Sequence, residues 1–225
     1  MRNNDLTRIV RQLILNTSFI NNLGILNGKM GVAIFFYHYF LYTKDSKYRR
    51  FANFLLDEIY EDITIDLCSD FENGLSGIGW GIEYLIQNGF VKGNTNEVLA
   101  DIDSLVFERD IRRIKNISLE NGLKGIAHYI IIRFNNRKLE THVEYVRELL
   151  ETLMGITEFD MEIQMQISLI NSILKTGNCG YINDELLDNL IMNCQFKSSD
   201  LINANRCYGL VNNGYSGIGL KMIKK

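Results

Sequence analysis

The sequence predicts an all-α protein, an α/α toroid of about five inner/outer helix pairs that takes residues 1–225 as one domain. Three observations carry this reading. An Asn-Gly step, followed three residues later by a second Gly and then by an apolar run, occurs four times, with the first Gly at 28, 74, 122 and 214. The steps are 46, 48 and 92, and 92 is twice 46, so a fifth, degenerate unit is expected near position 168. Repeats of this length bury their apolar faces against their neighbours and so build one core. The second observation is the absence of proline, against a usual level of about 5%, which removes the commonest helix breaker and leaves Gly and Asn as punctuation. The third is an alternation between helices apolar all round and helices with a single apolar stripe.

The first helix follows Asp5 and places Leu6, Ile9, Val10 and Leu13 on one face. An inner helix near 29–42 comes next, apolar nearly throughout from Val32 to Phe40, and an outer one over 46–60 is striped by Tyr48, Phe51, Ala52, Leu55 and Ile59. The pattern repeats with inner 75–88 and outer 96–112, then inner 123–135 and outer 140–154. Residues 160–175, with Ser168 in the expected register and no Gly-x-x-Gly, are the degenerate inner helix. An outer helix over 184–192 and an inner one over 215–224 complete the series. The first helix has no inner partner before it and the last inner helix has no outer partner after it. The two ends of the chain are therefore expected to pack together and close the ring, and an open arc forming a homodimer through the chain ends is the alternative.

Net charge is −3, from 24 Lys and Arg against 27 Asp and Glu, with no basic stretch interleaved with aromatics, so nucleic acid is not expected as a partner. No apolar run approaches the roughly 20 residues of a membrane span, and the start Met-Arg-Asn-Asn-Asp has no apolar signal region, so no membrane insertion and a cytoplasmic location are expected. Four cysteines, Cys68, Cys179, Cys194 and Cys207, form no Cys-x-x-Cys pair and are expected as reduced thiols.

Asn before Gly suits a turn with positive φ, and the second Gly, about one turn into the helix, lets neighbouring inner helices approach closely. A compatible functional reading makes Asn73, Gly74, Asn121, Gly122, Asn213 and Gly214 candidate ligand-binding residues. All inner helices would start at one mouth of the barrel and present N–H groups and positive dipole ends there.

The segments Gly24-Ile25-Leu26-Asn27-Gly28-Lys29-Met30-Gly31, Glu72-Asn73-Gly74-Leu75-Ser76-Gly77-Ile78-Gly79-Trp80-Gly81 and Gly214-Tyr215-Ser216-Gly217-Ile218-Gly219-Leu220 are similar to the Gly-rich inner-helix starts of the lanthionine synthetase C-like family. That resemblance implies an α/α toroid, usually of seven hairpins, which matures ribosomally made peptides in bacteria. It also implies a zinc ion, held by two Cys and one His, that lowers the pKa of a substrate thiol. Cys207-Tyr208-Gly209 matches one ligand triplet of the family, whereas the adjacent Cys-His pair that supplies the other ligands has no counterpart here. No cofactor is therefore assigned, with zinc left open and Cys207, His128 and His38 as weak metal candidates.

Glu83, the carboxylate within the apolar run of an inner helix, either faces a central cavity or pairs with a cation. His38 and His128 also sit in inner helices, where a satisfied buried imidazole competes with a cavity-lining one. Glu83 and His128 are the catalytic candidates. Asp70 and Glu120 precede inner helices, where they cap turns or, in a carbohydrate-active toroid, act as an acid/base pair. The expected function is a lanthionine synthetase C-like protein that binds a peptide substrate or a modifying enzyme without an intact zinc site. A zinc-dependent cyclase with a rearranged site and a carbohydrate-active toroid are the alternatives.

Overall fold

Without proline, and punctuated by Gly and Asn, the chain folds into helices. The computed structural model describes residues 2–137, 141–181, 183–195 and 207–224, and among these no strand occurs. Helix α1 (Arg2–Asn16) buries Leu6, Ile9, Val10 and Leu13. Helix α2 (Lys29–Thr43) is buried on every side from Lys29 to Tyr37 and stops where Lys44 enters the left-handed region. In α3 (Ser46–Asp62) the Asp45 carboxylate accepts the Lys47 N–H at 3.0 Å as N-cap, and Ala52, Leu55 and Ile59 face inward. Helix α4 (Leu75–Gln87) is again buried nearly all round.

The single outer helix expected over 96–112 is broken into α5 (Thr95–Val98), α6 (Ala100–Phe107) and a 3-10 turn over Ile111–Arg113. Asn94 starts α5 as its N-cap, and Asp110 starts the 3-10 turn, their side chains accepting the Asn96 and Arg112 N–H groups at 3.2 Å. Helix α7 (Leu123–Phe134) is buried, and α8 (Val143–Met154) packs through Tyr145, Val146, Leu149 and Leu153. The first residue of the expected 140–154 helix, Glu140, lies outside the described residues. Helix α9 (Met161–Thr176) occupies the position of the degenerate unit, capped by Asp160 and ended by Gly177 at φ 73°. Helices α10 (Asn183–Met192) and α11 (Tyr215–Ile223) follow.

Two compact units divide the chain. One holds residues 1–64 and 184–225, the other 65–183. In the first, α2 packs on α3 and α11, and α11 packs on α1, so the two ends of the chain meet. In the second, α4 packs on α7, and α7 and α8 pack on α9 around Ile126, Ile130, Leu149, Leu153, Ile163 and Ile170. Each such buried aliphatic side chain contributes about 1.5–3 kcal/mol relative to exposure.

The glycines act by closeness rather than by positive φ. Gly28, Gly74 and Gly122 adopt extended backbone, with φ −117°, −120° and −129°. A Cβ on any of the three would come within 3.0 Å of the carbonyl oxygen six residues earlier, that of Asn22, Cys68 and Asn116 respectively. Those same carbonyls accept the Lys29, Leu75 and Leu123 N–H groups at 2.8, 2.8 and 2.9 Å. The fourth turn is one residue longer. There Tyr215 N–H reaches Cys207 O at 3.1 Å, and Asn212 and Asn213 take up the extra residue in the left-handed region.

Successive turns also interlock sideways, and do so alike in both units. In one, Phe71 and Glu72 N–H donate to Glu120 O at 2.9 and 2.8 Å, and Phe71 covers Gly125. In the other, Leu210 N–H donates to Leu26 O at 2.7 Å, and Leu210 covers Gly31. One turn further along, Gly79 of α4 admits the ring of Tyr129 from α7, and Gly219 of α11 admits the ring of Phe35 from α2. The close approach of neighbouring helices falls on these later glycines. By every one of these contacts, α11 stands to α2 as α4 stands to α7.

Candidate functional site

In the unit of residues 65–183, the starts of α7 and α9 bring four charged or titratable side chains together. Lys124 Nζ lies 2.7 Å from Asp160 Oδ2 and 3.0 Å from Glu162 Oε2. Glu162 Oε1 in turn lies 2.8 Å from Nε2 of His128, whose side chain is 3% exposed. Residues four apart on a helix share a face, so Lys124 and His128 are placed by α7 alone, and α9 adds Glu162 and Gln166 in the same way. The hydrogen bond from His128, then that from Lys124, holds the Glu162 carboxyl below the usual carboxylate range, and the Lys124 ammonium does the same for Asp160. Burial works against the charge on Lys124, yet its hydrogen bonds to Asp160 and Glu162 leave its pKa raised.

In the neutral imidazole, donation of the Nε2 proton to an ionised Glu162 leaves the lone pair on Nδ1. That atom is buried and has no hydrogen-bond partner among the described residues. It belongs to a row. Trp80, His128 and Gln166 are each the sixth residue of α4, α7 and α9, and Trp80 Nε1, His128 Nδ1 and Gln166 Oε1 are all buried without a hydrogen-bond partner there. The row offers one donor and two acceptors. The Phe71 ring, 6.2 Å from Trp80 and 6.3 Å from His128, lies beside its first two members.

The ion pairs around Glu162 have a signed consequence. A carboxyl held low in the folded state adds stability above its unfolded value of 4.5, and that contribution disappears as pH falls through the folded value. Glu162→Gln is therefore expected to flatten the loss of urea resistance below pH 4.5, and an unchanged profile of urea midpoint against pH would remove this assignment.

Glu83 answers the choice left by the sequence by pairing with cations. Fully buried, it contacts Arg137 Nη2 through Oε1, accepts the Gln87 amide N–H at 2.7 Å, and has Arg133 Nη1 at 3.8 Å from Oε2. Burial pushes its carboxyl up, and the two guanidinium groups and Gln87 pull it back only in part. Arg133 also grips buried Asp103 through Nη2 at 2.8 Å and Nε at 3.0 Å, and Tyr129 donates to Asp103 Oδ1 at 2.5 Å.

The candidate ligand turns spend their N–H groups internally, as in Leu75 to Cys68 O and Leu123 to Asn116 O. Tyr215, Ser216 and Gly217 N–H likewise reach the carbonyls of Cys207, Tyr208 and Gly209. Asn121 Oδ1 accepts from Asn116 and Ser118, and Asn213 Oδ1 accepts the Gln195 N–H. Asp70 caps its turn by accepting the Asn73 N–H at 2.9 Å, and Glu120 contributes its backbone oxygen to the interlock with Phe71.

Cys207 is exposed in the first unit, whereas His128 belongs to the second. His38 lies near Lys224, Asp184 and Asp188, where burial, then the Lys224 charge, lowers its pKa to about 4. Among the described residues no three His, Cys, Asp or Glu side chains come together as a metal site would need.

Sequence reasoning missed Lys124, Asp160, Glu162, Asp103, Arg133 and Arg137. A faint signal was present, since Lys124 and Arg133 interrupt an otherwise apolar helix and imply buried partners. Comparison with protein-family models, curated proteins and solved structures gave no match to the chain.

Proposed function

We propose that this chain is a lanthionine synthetase C-like protein of the α/α-toroid class that binds a peptide substrate or its modifying enzyme in ribosomal-peptide maturation in the bacterial cytoplasm. The observation that supports it most is the recurring interlock of Gly-rich turns. The same lateral hydrogen bond and ring-on-glycine contact serve α4 with α7 and α11 with α2, as a repeat of inner helices requires. No described helix is long and apolar enough to cross a membrane, in keeping with a partner met in water.

The non-catalytic reading rests on the donors. Cys207 has no adjacent Cys-His pair in the sequence, and the two histidines proposed beside it, His38 and His128, are engaged elsewhere, His128 with Glu162. A cyclase with a rearranged site is the second reading, favoured by the His128–Glu162 pair with its open Nδ1. Metal content of the purified protein decides between them. The expected result is substoichiometric zinc that Cys207→Ala leaves unchanged, together with binding of a precursor peptide bearing a leader and a Cys- and Ser-rich core. Stoichiometric zinc lost on Cys207→Ala would overturn the non-catalytic reading.

A further inference from the structure

At the end of the second unit opposite the Gly turns, the last residue of α4, the residues after α7 and the last turn of α9 line two solvent-open cavities of about 350 and 590 Å³. They share Asn136 and Arg137 in their walls. Among the described residues neither is lined by an Asp or a Glu, although acidic residues outnumber basic ones along the chain, 27 to 24. Lys175 and Arg137 are both there, with the amides of Gln87, Asn135, Asn136 and Asn178.

We propose that these joined cavities bind a carboxylate-bearing ligand, its carboxylate meeting Lys175 and Arg137 beside the Asn136 amide. The charge count supports an anion. Glu83 and Asp103 below are balanced by Arg133 and Arg137, so Lys175, which makes no ion pair among the described residues, is the surplus cation. Arg137 is held rigidly, through its side chain to Glu83 and through its backbone N–H to Gly177 O at 3.0 Å. Among the described residues two of its five N–H groups have side-chain partners, on Glu83 and, at 3.5 Å, on Asn96. The others remain to fork a planar carboxylate, the geometry that guanidinium matches best. Lys175 lines the larger cavity from the last turn of α9, where the helix dipole favours a cation.

This site lies away from the His128 row and does not depend on the peptide reading. Isothermal titration of the whole protein, with citrate, inorganic phosphate, and one tetrapeptide in free-acid and amidated forms, tests it. Citrate or the free-acid peptide is expected to bind, more weakly at high salt, and Lys175→Glu is expected to weaken binding about tenfold or more. Lys175 is exposed, so the reversal leaves the fold in place, which circular dichroism checks. Asn136→Gly keeps the φ of 60° and removes only the amide, and a loss of affinity is expected there too. Binding of the free acid but not the amide identifies a peptide terminus, and binding of citrate alone identifies a small organic acid. Phosphate binding as tightly as the carboxylates, no carboxylate binding at millimolar concentration, or affinity unchanged in both variants would overturn the proposal.

Discussion

Gly209→Ala is expected to destabilise the protein by about 3 kcal/mol or more, the upper range for overpacking at a site that does not yield. The added methyl would come within 3.0 Å of Leu26 O, Leu26 C and Asn27 Cα, all backbone atoms, so no side chain is available to swing aside. Relief requires the turn before α2 to move, and that turn accepts Leu210 N–H through the Leu26 carbonyl at 2.7 Å. The contact joining the turn before α11 to the turn before α2 would thus be lost with the packing. Gly93→Ala is the control. Its nearest neighbours would be Ile86 Cδ1 at 3.5 Å and Val98 Cγ2 at 3.6 Å, so a change within about 0.5 kcal/mol is expected. Urea unfolding of both variants checks the pair, and equal midpoints would show that the interlock contributes nothing to stability.

Arg133→Met is the second large effect, a loss of about 3–5 kcal/mol at neutral pH, because one partner of a buried ion pair is removed and the other stays behind. Asp103 would lose its two-point contact, and Glu83 would keep Arg137 and Gln87 alone. The substitution is similar in volume, so lost packing is a small part of the cost. The pH dependence separates charge from packing. Glu83 already has a raised carboxyl pKa, chiefly from burial. A raised folded value means that stability is gained as pH falls through it, and removal of Arg133 pushes Glu83 further in that direction. The difference between variant and wild type should therefore shrink as pH is lowered. Adding Asp103→Asn should recover part of the loss at neutral pH. A destabilisation independent of pH and untouched by Asp103→Asn would mean that Arg133 acts by packing.

Glu83 shows how far sequence reasoning reached and where it stopped. Its place in an apolar helix marked it as needing either water or a cation, but its main cation, Arg137, is 54 residues away. Helical spacing links residues three or four apart and says nothing about such distances. Glu162 was harder to see, because an acid in the first turn of a helix is already explained by the dipole. Only the approach of α7 to α9 shows that it holds His128 and Lys124. The row formed by Trp80, His128 and Gln166 was legible only in part, since the start of α9 lacks the Gly step found before α4 and α7.

By itself the sequence determined the all-helical class and where the buried helices begin. Those properties are local: an Asn-Gly turn, an apolar run and the absence of proline act within a few residues. It also showed that the glycines matter, but not why. The carbonyls of Asn22, Cys68 and Asn116 crowd against Gly28, Gly74 and Gly122 at ordinary extended φ, a steric fact that exists only once loop and helix have folded onto each other. Tertiary structure likewise decided that α1 lies on α11, that Glu83 is paired, and that Lys175 lines a cavity with no ion pair among the described residues. The reason is the same in each case. Electrostatic and steric partners are chosen by distance in space, and a chain of compact helices brings residues dozens of positions apart to within a hydrogen bond.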